Sequence, residues 1–266
     1  MMLLDFLRGP LPRIPRAVGL IMTSLLLIMM TSACGKKGPV RPKLDTPLPA
    51  VEELTLQQQG NFFILSWTIP SHKESAEVQG LTGFRINRLT YDSIQGCPTC
   101  REPQIEVAEL DINFPDPGQR IGNRIYWRDL DIHPGGGYRY SIVPLALGNQ
   151  EGPSVTIHLA ALVPPPSPMD LLAAAGDAQV TLQWMAPILP AEMQLVGYNL
   201  YRRQAKRPFP MVPVNSKPLE ETRLLDLGLD NGRTFEYRVS AVVRLGDQLL
   251  ESTASSVVQV TPREGL

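Results

Sequence analysis

Histidine and cysteine are scarce in this chain, three of each in 266 residues, and the way they are placed excludes several chemistries. His72, His133 and His158 stand single and far apart, so the His-Glu-x-x-His pair that metalloprotease chemistry uses cannot be assembled. The Gly-x-Ser-x-Gly elbow of serine hydrolases and the Gly-x-x-x-x-Gly-Lys phosphate cradle are missing as well. An excess of charge of one sign is also lacking, since 25 Lys and Arg face 26 Asp and Glu. The chain therefore carries no electrostatic footprint for nucleic acid, which calls for an excess of clustered cations. Helical periodicity is poor and proline is abundant, at 26 residues, which argues for a β-rich chain. Neither a cofactor nor a catalytic residue is expected.

What the chain does have begins at its N-terminus. Arg8, Arg13 and Arg16 precede an apolar run, Ala17 to Ala33, that is shorter than the ~20 residues needed to cross a bilayer and ends in Thr31-Ser32-Ala33-Cys34-Gly35. This junction resembles the bacterial lipobox, with Thr31 where leucine is usual. The resemblance implies cleavage after residue 33, lipid attachment at Cys34 and a membrane anchor. Triple acylation would hold such a protein stably, where one chain is marginal. Gly35 in place of aspartate implies, by the same resemblance, the outer membrane of the cell envelope. Residues 34–49 contain Pro39, Pro42, Pro47 and Pro49 with few apolar residues, the composition of a lipidated, flexible tether.

Beyond the tether, apolar residues alternate. Phe63, Leu65 and Trp67 share one face of a strand, as do Val180, Leu182 and Trp184. Tyr138-Arg-Tyr-Ser-Ile142 and Phe235-Glu-Tyr-Arg-Val239 repeat the pattern, and Gly176-Asp177, Asp230-Asn231-Gly232 and Gly246-Asp247 mark turns. Pro164-Pro165-Pro166-Ser167-Pro168 cannot donate to a β-ladder and splits the chain. The halves repeat one another: Trp67 and Trp184 each stand three residues before a proline, and Gly83-Phe84-Arg-Ile-Asn-Arg88 aligns with Gly197-Tyr198-Asn-Leu-Tyr-Arg202.

These residues resemble the fibronectin type III domain in tandem. The resemblance implies an all-β chain of two immunoglobulin-like antiparallel β-sandwiches, at 50–162 and 169–262, joined by a Pro-rich linker at 163–168 and preceded by the signal peptide 1–33 and the tether. It places a core tryptophan at Trp67 and Trp184 and a tyrosine corner at Tyr138, with Phe235 as the second, hydroxyl-free corner. The first copy departs by an insertion, Tyr91 to Pro103.

That insertion holds Cys97-Pro98-Thr99-Cys100. A disulfide closing the loop fits an oxidising compartment and would stabilise modestly because the loop is short. Half of a zinc site, a disulfide-exchange dithiol, free thiols and an intermolecular bond are the competing readings. Asp116, Asp129 and Asp131 read as solvated turn acids, with a calcium site as the alternative. Arg244-Leu-Gly-Asp247 reads as a hairpin turn, and Tyr126, Trp127, Tyr138 and Tyr140 read mostly as core rather than as a sugar-stacking platform.

The expectation is a non-catalytic binding or scaffolding lipoprotein of the bacterial envelope with a protein or glycan partner. The Cys34-Gly-Lys-Lys-Gly-Pro39 start also resembles that of short lipoproteins that assist assembly of the lipopolysaccharide export translocon. That likeness implies an outer-membrane assembly factor acting through its anchor region.

Overall fold

A computed structural model describes residues 48–70, 80–100, 103–148 and 150–265. The signal-like segment, Cys34, most of the tether, and His72, Glu74 and Glu77 lie outside the described residues. The chain is all-β. Its first half contains β1 (Glu52–Gln59), β2 (Phe62–Thr68), β3 (Leu81–Asp92), β4 (Ile105–Asp111), β5 (Gln119–Ile121), β6 (Arg124–Asp129), β7 (Gly136–Ala146), β8 (Gln150–Glu151) and β9 (Val155–Ala160). Its second half contains β10 (Met169–Gly176), β11 (Gln179–Met185), β12 (Gln194–Gln204), β13 (Arg223–Leu227), β14 (Phe235–Leu245), β15 (Gln248–Glu251) and β16 (Val258–Val260).

Period-two burial makes each half a sandwich. In the first, the layer β1-β2-β6-β5 faces β4-β3-β7, and β7 also pairs with β8 and β9. Phe63, Leu65 and Trp67 meet Phe84, Ile86, Tyr140 and Ile142 between the layers. In the second, β10-β11-β13 faces β12-β14, with β15 and β16 paired to β14, and Val180, Leu182 and Trp184 meet Tyr198, Leu200, Tyr237 and Val239. The two cores are separate clusters. Trp67 packs edge-on against Phe84 at 5.4 Å and 71°, and Trp184 meets Tyr198 at the same distance and angle. The sequence repeat is thus repeated in geometry. At the corner, the backbone N–H of His133 donates to the Tyr138 hydroxyl at 2.8 Å, while Phe235 fills the corresponding place by packing in the core, with the Arg202 guanidinium 5.9 Å from its ring centre.

The repeated glycine near the start of β3 and of β12 has a packing cause. A Cβ on Gly83 would lie 2.1 Å from the carbonyl oxygen of Leu110, and one on Gly197 would lie 2.5 Å from that of Leu219. Each glycine also follows a register shift, between Leu81 and Gly83 against β7 and between Leu195 and Gly197 against β14. A bulge followed by a residue without a side chain lets a neighbouring backbone come close.

The sandwiches do not merely follow one another. β1 pairs in parallel with β15, Gln58 opposite Leu250 and Gln59 opposite Glu251, so one layer of each half joins a continuous eight-stranded sheet. The Gln58 side chain ties in the proline-rich segment: its Nε2 donates to Leu162 O at 2.6 Å and its Oε1 accepts from Leu162 N at 2.9 Å. Beyond it, the Ser167 and Thr253 hydroxyls share a hydrogen bond of 2.6 Å.

Replacing either glycine by alanine is expected to cost about 2 kcal/mol of stability through overpacking against backbone. Urea unfolding of Gly83→Ala and Gly197→Ala checks this, and unchanged midpoints would refute the close-approach argument.

Candidate functional site

Both sandwiches bury a carboxylate between an arginine and a tyrosine. In the first, Arg88 Nη1 donates to Asp129 Oδ2 at 2.8 Å and the Tyr140 hydroxyl donates to the same oxygen at 2.7 Å. In the second, Arg202 Nη1 donates to Asp226 Oδ1 at 2.7 Å and the Tyr237 hydroxyl donates to Oδ2 at 2.7 Å. Asp129 is only 4% exposed, which corrects its reading as a solvated turn acid. Its position at a strand end suggests hydration, but β3 and β7 bring a cation and a phenol onto it, and a paired carboxylate can be buried. Asp131 is open to solvent, with 71% of its side chain exposed, although Arg88 Nη2 reaches it at 2.8 Å. Arg88 holds the Asp131 carboxyl below the usual carboxylate range, chiefly through that hydrogen bond. Among the described residues, no three His, Cys, Asp or Glu side chains gather as a metal site. Of the four aromatics considered for sugar stacking, Trp127, Tyr138 and Tyr140 are core and Tyr126 is half-buried.

Cys97 and Cys100 form a disulfide in the loop between β3 and β4, with Cα atoms 5.4 Å apart. Arg139 of β7 anchors this loop, its Nη1 donating to Pro98 O at 2.8 Å and to Cys100 O at 3.0 Å. The loop is therefore tied to the sheet by a cation as well as closed on itself.

The most elaborate polar site lies on the seam between the sandwiches. Glu251 sits at its centre. Its Oε1 accepts from Gln59 Nε2 at 2.6 Å, from the Tyr201 hydroxyl at 2.7 Å and from Ser240 Oγ, and its Oε2 accepts from Asn199 Nδ2 at 2.9 Å. Gln59 Nε2 also donates to the Tyr201 oxygen at 2.6 Å. Residues 205–218 fold over this face: Val214 N donates to Leu200 O at 2.8 Å, and Met211 N donates to Gln119 Oε1 at 2.9 Å. Phe209 is held between two guanidinium groups, Arg203 at 4.2 Å and Arg238 at 4.3 Å from its ring centre. Burial pulls the Arg238 and Arg128 guanidinium values down. Beneath the crossing segment lies a cavity of about 310 Å³ that Gln57, Tyr126, Tyr201, Met211 and Asn215 help to line.

The seam was not apparent in the sequence. Alternation from Tyr198 and Leu200 places Tyr201 outward, yet Tyr201 is buried, as are Ser240 and Val242 of β14. A large aromatic on the outward side of a strand, and three consecutive glutamines at 57–59, were the available signals.

Two antiparallel β-sandwiches in the described residues make an all-β protein the class that the fold defines. No family model matches the chain. Among solved structures it is similar to the crystal structure of chicken CNTN1 FN1–FN3 domains, with 14% identity, a TM-score of 0.34, and coverage of 85% of this chain and 71% of that one.

Two outcomes are expected of the buried polar groups. Glu251→Ala leaves four donors without their acceptor and should cost about 3 kcal/mol, read as a lower urea midpoint. A transition that does not move would show that Glu251 does not hold the seam. Burial first, and then the adjacent carboxylates, push the Tyr140, Tyr201 and Tyr237 phenols well above their ordinary value. Their stabilising contribution is complete below the unfolded phenol value of about 10 and falls away as pH climbs above it. Phenolate absorbance should therefore show these three ionising only together with alkaline unfolding, and ionisation within the folded state would contradict the burial.

Proposed function

We propose that the protein is a non-catalytic binding or scaffolding lipoprotein of the bacterial cell envelope, anchored through lipid on Cys34 and standing at the outer membrane. The observation that carries this reading is the seam. Two sandwiches that share one sheet and a carboxylate network present their loops at fixed mutual positions, which suits a platform that holds a partner. Sandwich folds host many functions, so the binding role rests on analogy of fold. The anchor rests on the run ending at Cys34-Gly35 and on the stable membrane residence that several acyl chains confer.

Fractionation of cells carrying the full-length chain tests the anchor. The wild-type protein is expected in the membrane pellet and Cys34→Ala in the soluble fraction. In-cell crosslinking of the two forms should recover an envelope partner with the wild type that is lost with the variant. Equal distribution of both forms would remove the lipid anchor from the reading.

A further inference from the structure

We infer that the groove between β5 and the end of β12 binds an extended, acidic peptide segment of a partner protein by strand addition. This deepens the binding-module reading and rests on it. The groove has a volume of about 580 Å³. Gly118 to Ile121 line it together with Arg202, Arg203 and Arg207.

Two independent features select the occupant. The first is a free backbone edge. β5 is the last strand of the shared eight-stranded sheet and, among the described residues, pairs only with β6. A two-residue turn, Gly122-Asn123, joins the two strands, with Gly122 at φ +59°. In such a hairpin the closing pair, here Ile121 and Arg124, exchanges both hydrogen bonds. Arg120, one residue back, then directs its own N–H and C=O away from β6 and toward the open edge. An extended peptide completes such an edge with main-chain hydrogen bonds.

The second is uncompensated positive charge. Among the described residues, no Asp or Glu lines the groove. Arg202 is answered by Asp226 and Arg203 by Glu236. Arg120 reaches only carbonyl oxygens, those of Gly122 at 3.2 Å and Ile112 at 3.3 Å. The Arg207 guanidinium has no partner among the described residues, and Lys206 stands exposed beside it. Two guanidinium groups flanking a strand edge call for carboxylates, which Arg can take in bidentate fashion. Ile121, 41% exposed, and Phe114, 81% exposed, add apolar surface near the β5 side for alternate side chains of the incoming strand. The near-balance of Lys and Arg against Asp and Glu over the whole chain disfavours a nucleic acid, which needs a wider field of cations.

The test titrates the purified full chain into a fluorescein-labelled peptide of alternating threonine and glutamate and follows anisotropy. Parallel probes are the threonine–lysine version and a threonine–glutamate peptide N-methylated at alternate residues. Binding of the acidic peptide is expected to weaken about tenfold or more in the double variant Arg120→Glu/Arg207→Glu, a change of ~1.4 kcal/mol or more. It is also expected to fall with added salt and to be lost on N-methylation. Both substituted side chains are exposed, so an unchanged thermal transition shows that the variant is folded. Failure of the acidic peptide to bind, equal binding by the double variant, full retention on N-methylation, or displacement by excess inorganic phosphate alone would each overturn the proposal. None of these outcomes bears on whether Cys34 anchors the chain, so the two readings fail separately.

Discussion

The Glu251 carboxylate is the constraint on which the arrangement of the two sandwiches depends. A carboxylate removed from water without partners would cost several kcal/mol or take up a proton. Here four donors from β1, β12 and β14 converge on it, and each has to be in place for its partial burial to be tolerable. That requirement sets the end of β15 against the end of β1, turns Tyr201 toward the first sandwich and leaves Gln59 no freedom to face solvent. The parallel pairing of Gln58 and Gln59 with Leu250 and Glu251 supplies the backbone half of the same joint. Polar networks of this kind specify one geometry more sharply than apolar contact does, because a displaced member strands the others.

The two halves agree where they serve their own cores and diverge where they serve each other. Tryptophan against an aromatic, glycine under a neighbouring carbonyl, and aspartate between arginine and tyrosine all occur twice. Tyr201 has its counterpart in sequence at Asn87, the residue before Arg88 in the aligned stretch, and among the described residues nothing like the Glu251 network is built around Asn87. Likewise the second half lacks the insertion that carries Cys97 and Cys100, and uses its own long connection, 205–222, to cover the seam. Duplication explains the shared parts, and the joint between the copies explains why the outward faces of β12 and β14 bury Tyr201, Ser240 and Val242.

Local pattern carried the sequence reading a long way. Period-two alternation named the core faces of β2, β11 and β14, and the pairing of Gly83 to Arg88 with Gly197 to Arg202 exposed the repeat. The short Cys-x-x-Cys spacing and the expected oxidising compartment pointed to the disulfide. What stayed hidden depends on partners distant in the chain. Asp129 looks hydrated until Arg88, 41 residues earlier, is folded onto it, and Gln59 looks like a polar strand end until Glu251 arrives from 192 residues away. Composition and periodicity describe a strand's two faces; they say little about an edge, and both the seam and the groove beside β5 are edge features. Cys34, proposed to carry lipid, lies outside the described residues, so that reading rests on the sequence alone.

The pairing of β1 with β15 also has a temporal side. β1 is the first strand of the described residues and Glu251 of β15 follows Gln59 by 192 residues, so the partner for Gln58 and Gln59 is made long after they are. A first sandwich that closes as it emerges must wait with that edge uncovered, in the interval when an open strand is most prone to pair with a wrong neighbour. Contacts of such long sequence separation also form slowly. Completion of the seam therefore waits until most of the second sandwich has been made, and a chain cut short before Glu251 would keep an open strand where the longer chain has a closed joint.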